Sequence, residues 1–316
     1  MKLQNAPFFA FELKNWYQKN KRDLPWRQTD NPYFIWLSEI ILQQTRVAQG
    51  LPYYLKFVEA FPTINHFAEA TEDEVLRLWQ GLGYYSRARN MHSTAKLIHG
   101  QFNGLFPNNY KNLLQLKGVG PYTAAAIASF AFEEPVAVLD GNVFRVLSRF
   151  FGIETDISSP KGKKGFSEIA NLILPNSDSS THNQAIMEFG ALQCTPAPSC
   201  ESCPVQLHCF AFQQKITHKF PVNLKKLKIT NQYLYYFIIE KEGTFYLKKR
   251  EEKGIWQGLF DFYLVEKENE IDLEDLWKTE PIAEIINHSS ILSVSSEYRH
   301  QLTHKRLSIW FIHLRL

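Results

Sequence analysis

Leu113 to Arg149, LLQLKGVGPYTAAAIASFAFEEPVAVLDGNVFRVLSR, is the stretch whose reading decides the fold of this 316-residue chain. Leu113, Leu114 and Leu116 close one apolar helical segment. Gly118-Val119-Gly120 breaks it, and Pro121 opens a second segment at the first helical position, where a missing N–H costs nothing. The pattern predicts helix, hairpin, helix. Two glycines flanking an apolar residue let the backbone approach another surface, and the unpaired amides that begin the second helix suit an anion such as phosphate. Ala124, Ala125, Ala126 and Ala128 allow close helix packing. Further on, Val136-Ala137-Val138-Leu139 delivers Asp140 to a turn, Gly141-Asn142, after which Val143, Val146 and Leu147 resume a helical period. Asp140 thus stands at a helix start, where an aspartate is ordinarily an N-cap. A catalytic reading of it needs a second carboxylate.

Upstream, Asn31 to Thr45 reads NPYFIWLSEIILQQT. Glu39 follows Ile35 by four residues and precedes Leu42 by three, so at helical spacing it shares an apolar stripe. Desolvation there raises a carboxyl pKa towards the range of a general acid; a Glu that reaches water or pairs with an arginine is the rival reading. Phe8 to Gln18 predicts an amphipathic helix, and Lys19-Asn20-Lys21-Arg22 reads as a solvated basic turn before Leu24-Pro25-Trp26-Arg27. Lys161-Gly162-Lys163-Lys164 reads as another solvated turn.

Composition is that of a soluble globular protein, 45% apolar and 21% charged, long enough for two domains. No apolar run spans a bilayer and no leader pattern stands at the start, so a cytoplasmic location is expected. Residues 1–220 carry 21 Lys and Arg against 18 Asp and Glu, and residues 221–316 carry 14 against 14, so bulk charge does not identify a nucleic-acid ligand. The four cysteines, Cys194, Cys200, Cys203 and Cys209, fall in the pattern C-x5-C-x2-C-x5-C. In a cytoplasmic protein such a cluster reads as metal ligation, with tetrahedral zinc and a [4Fe-4S] cluster as the alternatives; one central pair with longer arms favours the latter.

LKGVGPYTAAAI followed by VLDGNVFRV resembles the helix-hairpin-helix and catalytic aspartate of the endonuclease III superfamily of DNA glycosylases, and within it the MutY-type adenine DNA glycosylases. Lys117 departs from the proline of many relatives, and the first arm of the cysteine pattern is one residue short. The resemblance implies a mainly α, helix-hairpin-helix glycosylase domain with an iron-sulfur loop over residues 1–213, a linker over 214–228, and a smaller α+β Nudix-like domain over 229–316. It implies catalysis by Glu39 and Asp140 with Tyr122 and Asn142 beside them, and an adenine pocket with Trp26, Arg27, Gln184 and Glu188. DNA contacts fall to Gln44, Thr45, the wedge Tyr84, Arg87, Arg89 and the hairpin Gly118, Val119 and Gly120. One structural [4Fe-4S] cluster per chain would be held by the four cysteines. Lyase-type relatives carry lysine where Tyr122 stands, so base removal without strand cleavage is implied. The implied substrate is double-stranded DNA with adenine opposite 8-oxoguanine or guanine, met by a monomer.

Beyond Phe212 the period becomes strand-like. Tyr233–Glu240, Thr244–Lys249, Leu259–Val265 and Leu307–Leu314 are expected strands, with helices near Asp272–Trp277 and Pro281–Asn287. Arg250-Glu251-Glu252-Lys253-Gly254 resembles part of the Nudix metal box but lacks its upstream Gly and Glu, so no diphosphate hydrolysis is expected. The family reads 8-oxoguanine with an aromatic residue, Ser or Thr, and His; here Leu302, Thr303 and His304 occupy that loop, although Thr-His in a β-turn is also ordinary.

Overall fold

The computed structural model describes residues 3–225, 228–251 and 254–316 and divides into two compact units, Met1–Leu224 and Lys225–Leu316. Unit 1 is helical: α1 (Ala6–Asn20), α2 (Pro32–Ile41), α3 (Val47–Ala60), α4 (Ile64–Glu69), α5 (Glu72–Trp79), α6 (Ser86–Phe102), α7 (Tyr110–Leu113), α8 (Pro121–Phe132), α9 (Gly141–Phe151), α10 (Pro160–Ile173), α11 (Ser179–Leu192) and α12 (Phe210–Gln213). It holds two cores. One gathers α2 to α8 around Trp36, Phe57, Phe67 and Trp79. The other joins α1, α9, α10 and α11 through Phe9, Phe150, Phe166 and Phe189. Asp140 lies where the chain passes from the first core to the second.

The central stretch forms the expected helix, hairpin and helix. Gly118 has φ +77°, and a Cβ there would stand 2.9 Å from Asn90 Cβ, so the close approach it permits is to the protein itself; around Gly120 the space is open. Residues 161–164 are not a loop. Ser159 caps α10 by accepting the Gly162 N–H at 2.9 Å, and the three lysines ride on its first turns.

Unit 2 is α+β. Its mixed sheet has β1 (Thr230–Lys241) at the centre, antiparallel to β2 (Thr244–Phe245) and to β5 (Tyr263–Lys267), and parallel to β8 (Lys305–Arg315), which in turn pairs with β6 (Ser290–Val294) and β7 (Tyr298–Gln301). A separate pair is formed by β3 (Lys248–Lys249) and β4 (Phe260–Asp261). Thr244–Lys249 and Leu259–Val265 are therefore not single strands: each changes sheets midway. The short helices α13 (Leu273–Leu276) and α14 (Ile282–Asn287) pack Leu276 and Ile282 on the sheet. Strands β6 and β7 escape the pattern because they are exposed on every residue and carry no alternation. Of the segment that resembles the Nudix box, Glu252 and Lys253 lie outside the described residues; Arg250 pairs with Asp261 at 2.9 Å and Glu266 at 2.5 Å. No helix among the described residues is long and apolar enough to cross a membrane.

Candidate active site

Asn31 starts α2 by accepting the Tyr33 N–H at 3.0 Å, with Pro32 at the first position. The helix is then apolar enough to bury nearly all its residues, and Glu39, 8% exposed, is carried inside with them. Its alanines let α8 pack tightly on α2, which sets Tyr122, one residue after Pro121, against Glu39. Burial pushes the Glu39 carboxyl up to about 7; the Tyr122 hydrogen bond and the Arg27 charge oppose the rise, and Asp140 adds to it.

Asp140 is an N-cap as well as a pocket residue. Its Oδ1 accepts the Val143 N–H at 2.7 Å and its Oδ2 accepts Asn142 Nδ2 at 2.7 Å. Burial holds its pKa above the ordinary aspartate value, opposed by the Val143 and Asn142 hydrogen bonds and the Arg145 charge. Of the two carboxylates that Tyr122 stands beside, the phenol hydrogen-bonds Glu39 and meets Asp140 through its charge. Support for Asn142 comes instead from Arg145, whose Nη2 donates to Asn142 Oδ1 at 2.7 Å and to Gly190 O at 2.8 Å. The sequence reading passed over Arg145; its place one helical turn after Asn142 was the available signal. Gly190 permits this arrangement, since a Cβ there would lie 2.6 Å from Asn142 Cβ.

Glu39, Asp140, Tyr122, Trp26, Gln184 and Glu188 line a single pocket of about 650 Å³, which Arg27, Asn142, Gln44 and Thr45 also border. Gln184 accepts from Tyr17 Oη at 2.8 Å and donates to Ser180 Oγ at 3.2 Å. Glu188, 1% exposed, accepts from Arg22 Nε at 2.8 Å and Nη2 at 2.6 Å, and from Arg27 Nη1 at 3.0 Å and Nη2 at 2.8 Å. Burial would raise its carboxyl, but the two guanidiniums hold it down at about 2. Arg22 is thus a pocket residue and not part of a solvated turn; a basic residue in a basic run hides such a buried partner.

The DNA-contact candidates divide. Gln44 and Tyr84 are exposed, both with left-handed backbone, φ 55° and 48°. Thr45 donates to Gln43 O at 3.3 Å beside Gln44. Arg89 is half-buried on α6, and Gly118 and Gly120 are exposed on the hairpin. Two expectations are corrected. Arg87 is turned inward onto main-chain carbonyls and not towards a phosphate. Val119 is buried and its N–H donates to Leu116 O at 3.1 Å, so its side chain belongs to the core.

Cys194, Cys200, Cys203 and Cys209 line one apolar cavity beside Phe9 and Phe189. Burial pushes Cys203 up to about 12 and Cys209 up to about 11, so their thiolates need a positive partner. Arg149 Nη1 lies 3.5 Å from Cys194 Sγ. Among the described residues no group of three or more His, Cys, Asp or Glu is placed to hold a metal ion.

In unit 2 the reader candidates form the β7–β8 turn, closed by Leu302 N–H donating to Lys305 O at 2.8 Å. Thr303 and His304 are exposed at its tip. Leu302 is corrected: it packs inward beside Leu234 and Leu307, anchoring the turn and not facing a base.

Residues 37–171 match the HhH-GPD superfamily of base excision DNA repair proteins, and residues 234–316 match the NUDIX domain. The chain is 38% identical to the adenine DNA glycosylase of Buchnera aphidicola subsp. Baizongia pistaciae (strain Bp), over 96% of this chain and 86% of that one. It is 36% identical to the adenine DNA glycosylase of Buchnera aphidicola subsp. Acyrthosiphon pisum (strain APS), over 94% and 84%. Among solved structures, a thermostable thymine-DNA glycosylase superposes with a TM-score of 0.62 at 28% identity, over 67% of this chain and 98% of that one. With a helix-hairpin-helix beside a two-carboxylate pocket and a second, Nudix-like unit, the chain belongs to the adenine DNA glycosylase family of base excision repair enzymes.

Proposed function

We propose that the protein removes adenine mispaired with 8-oxoguanine or guanine, drawing the base out of the duplex into the pocket and hydrolysing its N-glycosidic bond without cutting the strand. The observation that carries the reading is a pair of unlike carboxylates in one pocket: Glu39, pushed to about 7, and Asp140, held by helix-start donors. The reacting bond is inaccessible in stacked DNA, and a mispaired base costs least to extract. Glu39, protonated, donates to adenine N7 and makes the base a leaving group. Asp140, ionised, stabilises the oxocarbenium-like sugar left when the C1′–N9 bond breaks, until water adds at C1′ and gives its proton to the Glu39 carboxylate. Three partners of Asp140, Val143, Asn142 and Arg145, favour its charged form against the burial that raises it, while burial, with the Asp140 charge adding to it, favours the proton on Glu39. Tyr122 fills with a phenol the place where strand cleavage through a Schiff base would need an amine.

Gln44, Thr45, Tyr84, Arg89, Gly118 and Gly120 are the surface we assign to duplex DNA, and Trp26, Arg27, Gln184 and Glu188 the walls around the base. The four cysteines, which line one apolar cavity and fall in a central pair with longer arms, are the residues that would hold a [4Fe-4S] cluster. The cluster would brace the loop 194–209 and takes no part in the hydrolysis. At the β7–β8 tip, the Thr303 hydroxyl and His304 imidazole are suited to the N7–H and O8 that distinguish 8-oxoguanine from guanine.

The test is incubation with duplexes carrying A opposite 8-oxoguanine, A opposite G, or thymine glycol, with and without alkali. Adenine release with breaks only after alkali is expected; breaks at thymine glycol without alkali would favour a glycosylase/lyase. Thr303→Ala with His304→Ala should lower the preference for 8-oxoguanine over guanine by roughly tenfold or more while adenine release stays measurable; an unchanged preference refutes the reader. A colourless protein holding one zinc, instead of a brown one, would overturn the cluster.

A further inference from the structure

Two exposed, non-glycine residues on separate segments share an unusual backbone. Gln44 follows the end of α2, with φ 55°, and Tyr84 lies between α5 and α6, with φ 48°. The left-handed region is costly for an L residue, so each tip needs outside support. Both receive it from one side chain. Arg87 Nη1 donates to Gln43 O at 2.5 Å, the carbonyl of the peptide that leads into Gln44, and Nη2 donates to Gly83 O at 3.3 Å, the carbonyl of the peptide that leads into Tyr84. Nη1 also reaches Ile40 O at 3.0 Å and Ile41 O at 3.1 Å, the last carbonyls of α2, where a cation is favoured.

The guanidinium is itself fixed. Its carbon lies 4.9 Å from the Trp79 ring centroid and 5.7 Å from that of Tyr84, and Trp79 Nε1 donates to the same Gly83 O at 2.9 Å. A planar fork with two terminal nitrogens can address two peptides at once, which an ammonium on a flexible stem cannot do.

We propose that Arg87 is a positioning residue that couples the Gln44 and Tyr84 tips, so that both are presented to the duplex as one rigid unit. The inference rests on the reading of those tips as the parts that enter DNA. When one guanidinium holds both peptides, losing either tip also lowers what the other can deliver, so their effects on base extrusion should not be independent.

The experiment is a double-mutant cycle. Gln44→Ala and Tyr84→Ala, singly and together, are placed in the otherwise unaltered chain and in Arg87→Lys. Base extrusion is read by fluorescence of 2-aminopurine next to the target adenine in an A:G duplex, together with single-turnover adenine release. In the unaltered background the double variant should lose at least about fivefold less than the product of the single losses. In Arg87→Lys that discrepancy should shrink to within about twofold, and the extrusion signal should fall while DNA affinity changes less. Coupling that persists in Arg87→Lys overturns the inference. Single losses that simply multiply in the unaltered chain overturn it too. If neither Gln44→Ala nor Tyr84→Ala changes extrusion, the reading of the tips as DNA-entering fails and takes the inference with it. Should Arg87→Lys fail to fold by circular dichroism, Arg87→Met, which keeps the stem and removes the fork, is read in its place, and the same loss of coupling is required of it.

Discussion

Glu39 and Glu188 stand on opposite walls of one pocket, both nearly sealed from solvent at 8% and 1% exposure, yet one carboxyl is driven up to about 7 and the other down to about 2. Burial raises both. On the α2 wall the Glu39 carboxyl is met by the Tyr122 phenol, and the two charges that act on it, Asp140 and Arg27, oppose each other. On the α11 wall two arginines deliver four side-chain hydrogen bonds. Charged partners, and not depth, therefore decide which glutamate keeps its proton. The same pocket holds one glutamate raised and one depressed because both arginines hydrogen-bond Glu188, whereas Arg27 reaches Glu39 only through its charge.

The largest expected effect is on the α2 wall. Glu39→Gln should cut single-turnover adenine release at pH 7 by on the order of 10²–10⁴-fold. The same variant should gain stability towards urea at pH 8, by up to about 3 kcal/mol, because an ionised Glu39 opposes folding. A rate within a fewfold of the parent would remove Glu39 from the chemistry.

Next is the α11 wall. Glu188→Gln removes the negative charge that the two guanidiniums share and replaces one of their two acceptor oxygens with a donor, and breaking a buried pair from one side costs about 3–5 kcal/mol. Urea denaturation at pH 7 measures it. A loss under about 1 kcal/mol would mean that water takes over the arginines and that the contrast between the walls is overstated.

The two glutamates should also impose opposite pH slopes on stability. Glu188, depressed from 4.5 to about 2, stabilises fully above pH 4.5, and that contribution of about 3 kcal/mol fades as pH falls towards 2. Glu39, raised from 4.5 to about 7, does no harm below pH 4.5 and destabilises progressively as pH rises to 7. Difference curves between the parent and each Gln variant, taken by urea denaturation from pH 3 to 8, isolate the two windows; coincident slopes would break the comparison.

The smallest effect concerns the phenol. Single-turnover rates should fall above about pH 7 as Glu39 loses its proton. Tyr122→Phe removes the bond that favours the ionised form and so should move that falling limb upward, by less than about 1 pH unit. A downward movement would show that Tyr122 stabilises the protonated acid instead.

Much of this was decided by local pattern. The break at Gly118–Gly120, the proline that opens α8, the aspartate before a resumed helical period and the glutamate on an apolar stripe are all properties of neighbours in sequence, where spacing of three or four residues sets which side chains share a face. The cysteine spacing and the shift to a strand period past Phe212 are of the same kind. What sequence could not supply was partner choice across long separations. Tyr122 binds Glu39 and not Asp140 because α8 docks on α2. Arg22 finds Glu188 across 166 residues. Arg87 turns from the surface to main-chain carbonyls on both sides of it, and Leu302 turns from a base to the core beside Leu234 and Leu307. Strands β6 and β7, exposed on both faces, had no periodicity to read and exist because β8 offers them hydrogen bonds. Periodicity assigns a side chain to a face; only packing determines what that face meets, and with it the charge each buried group can keep.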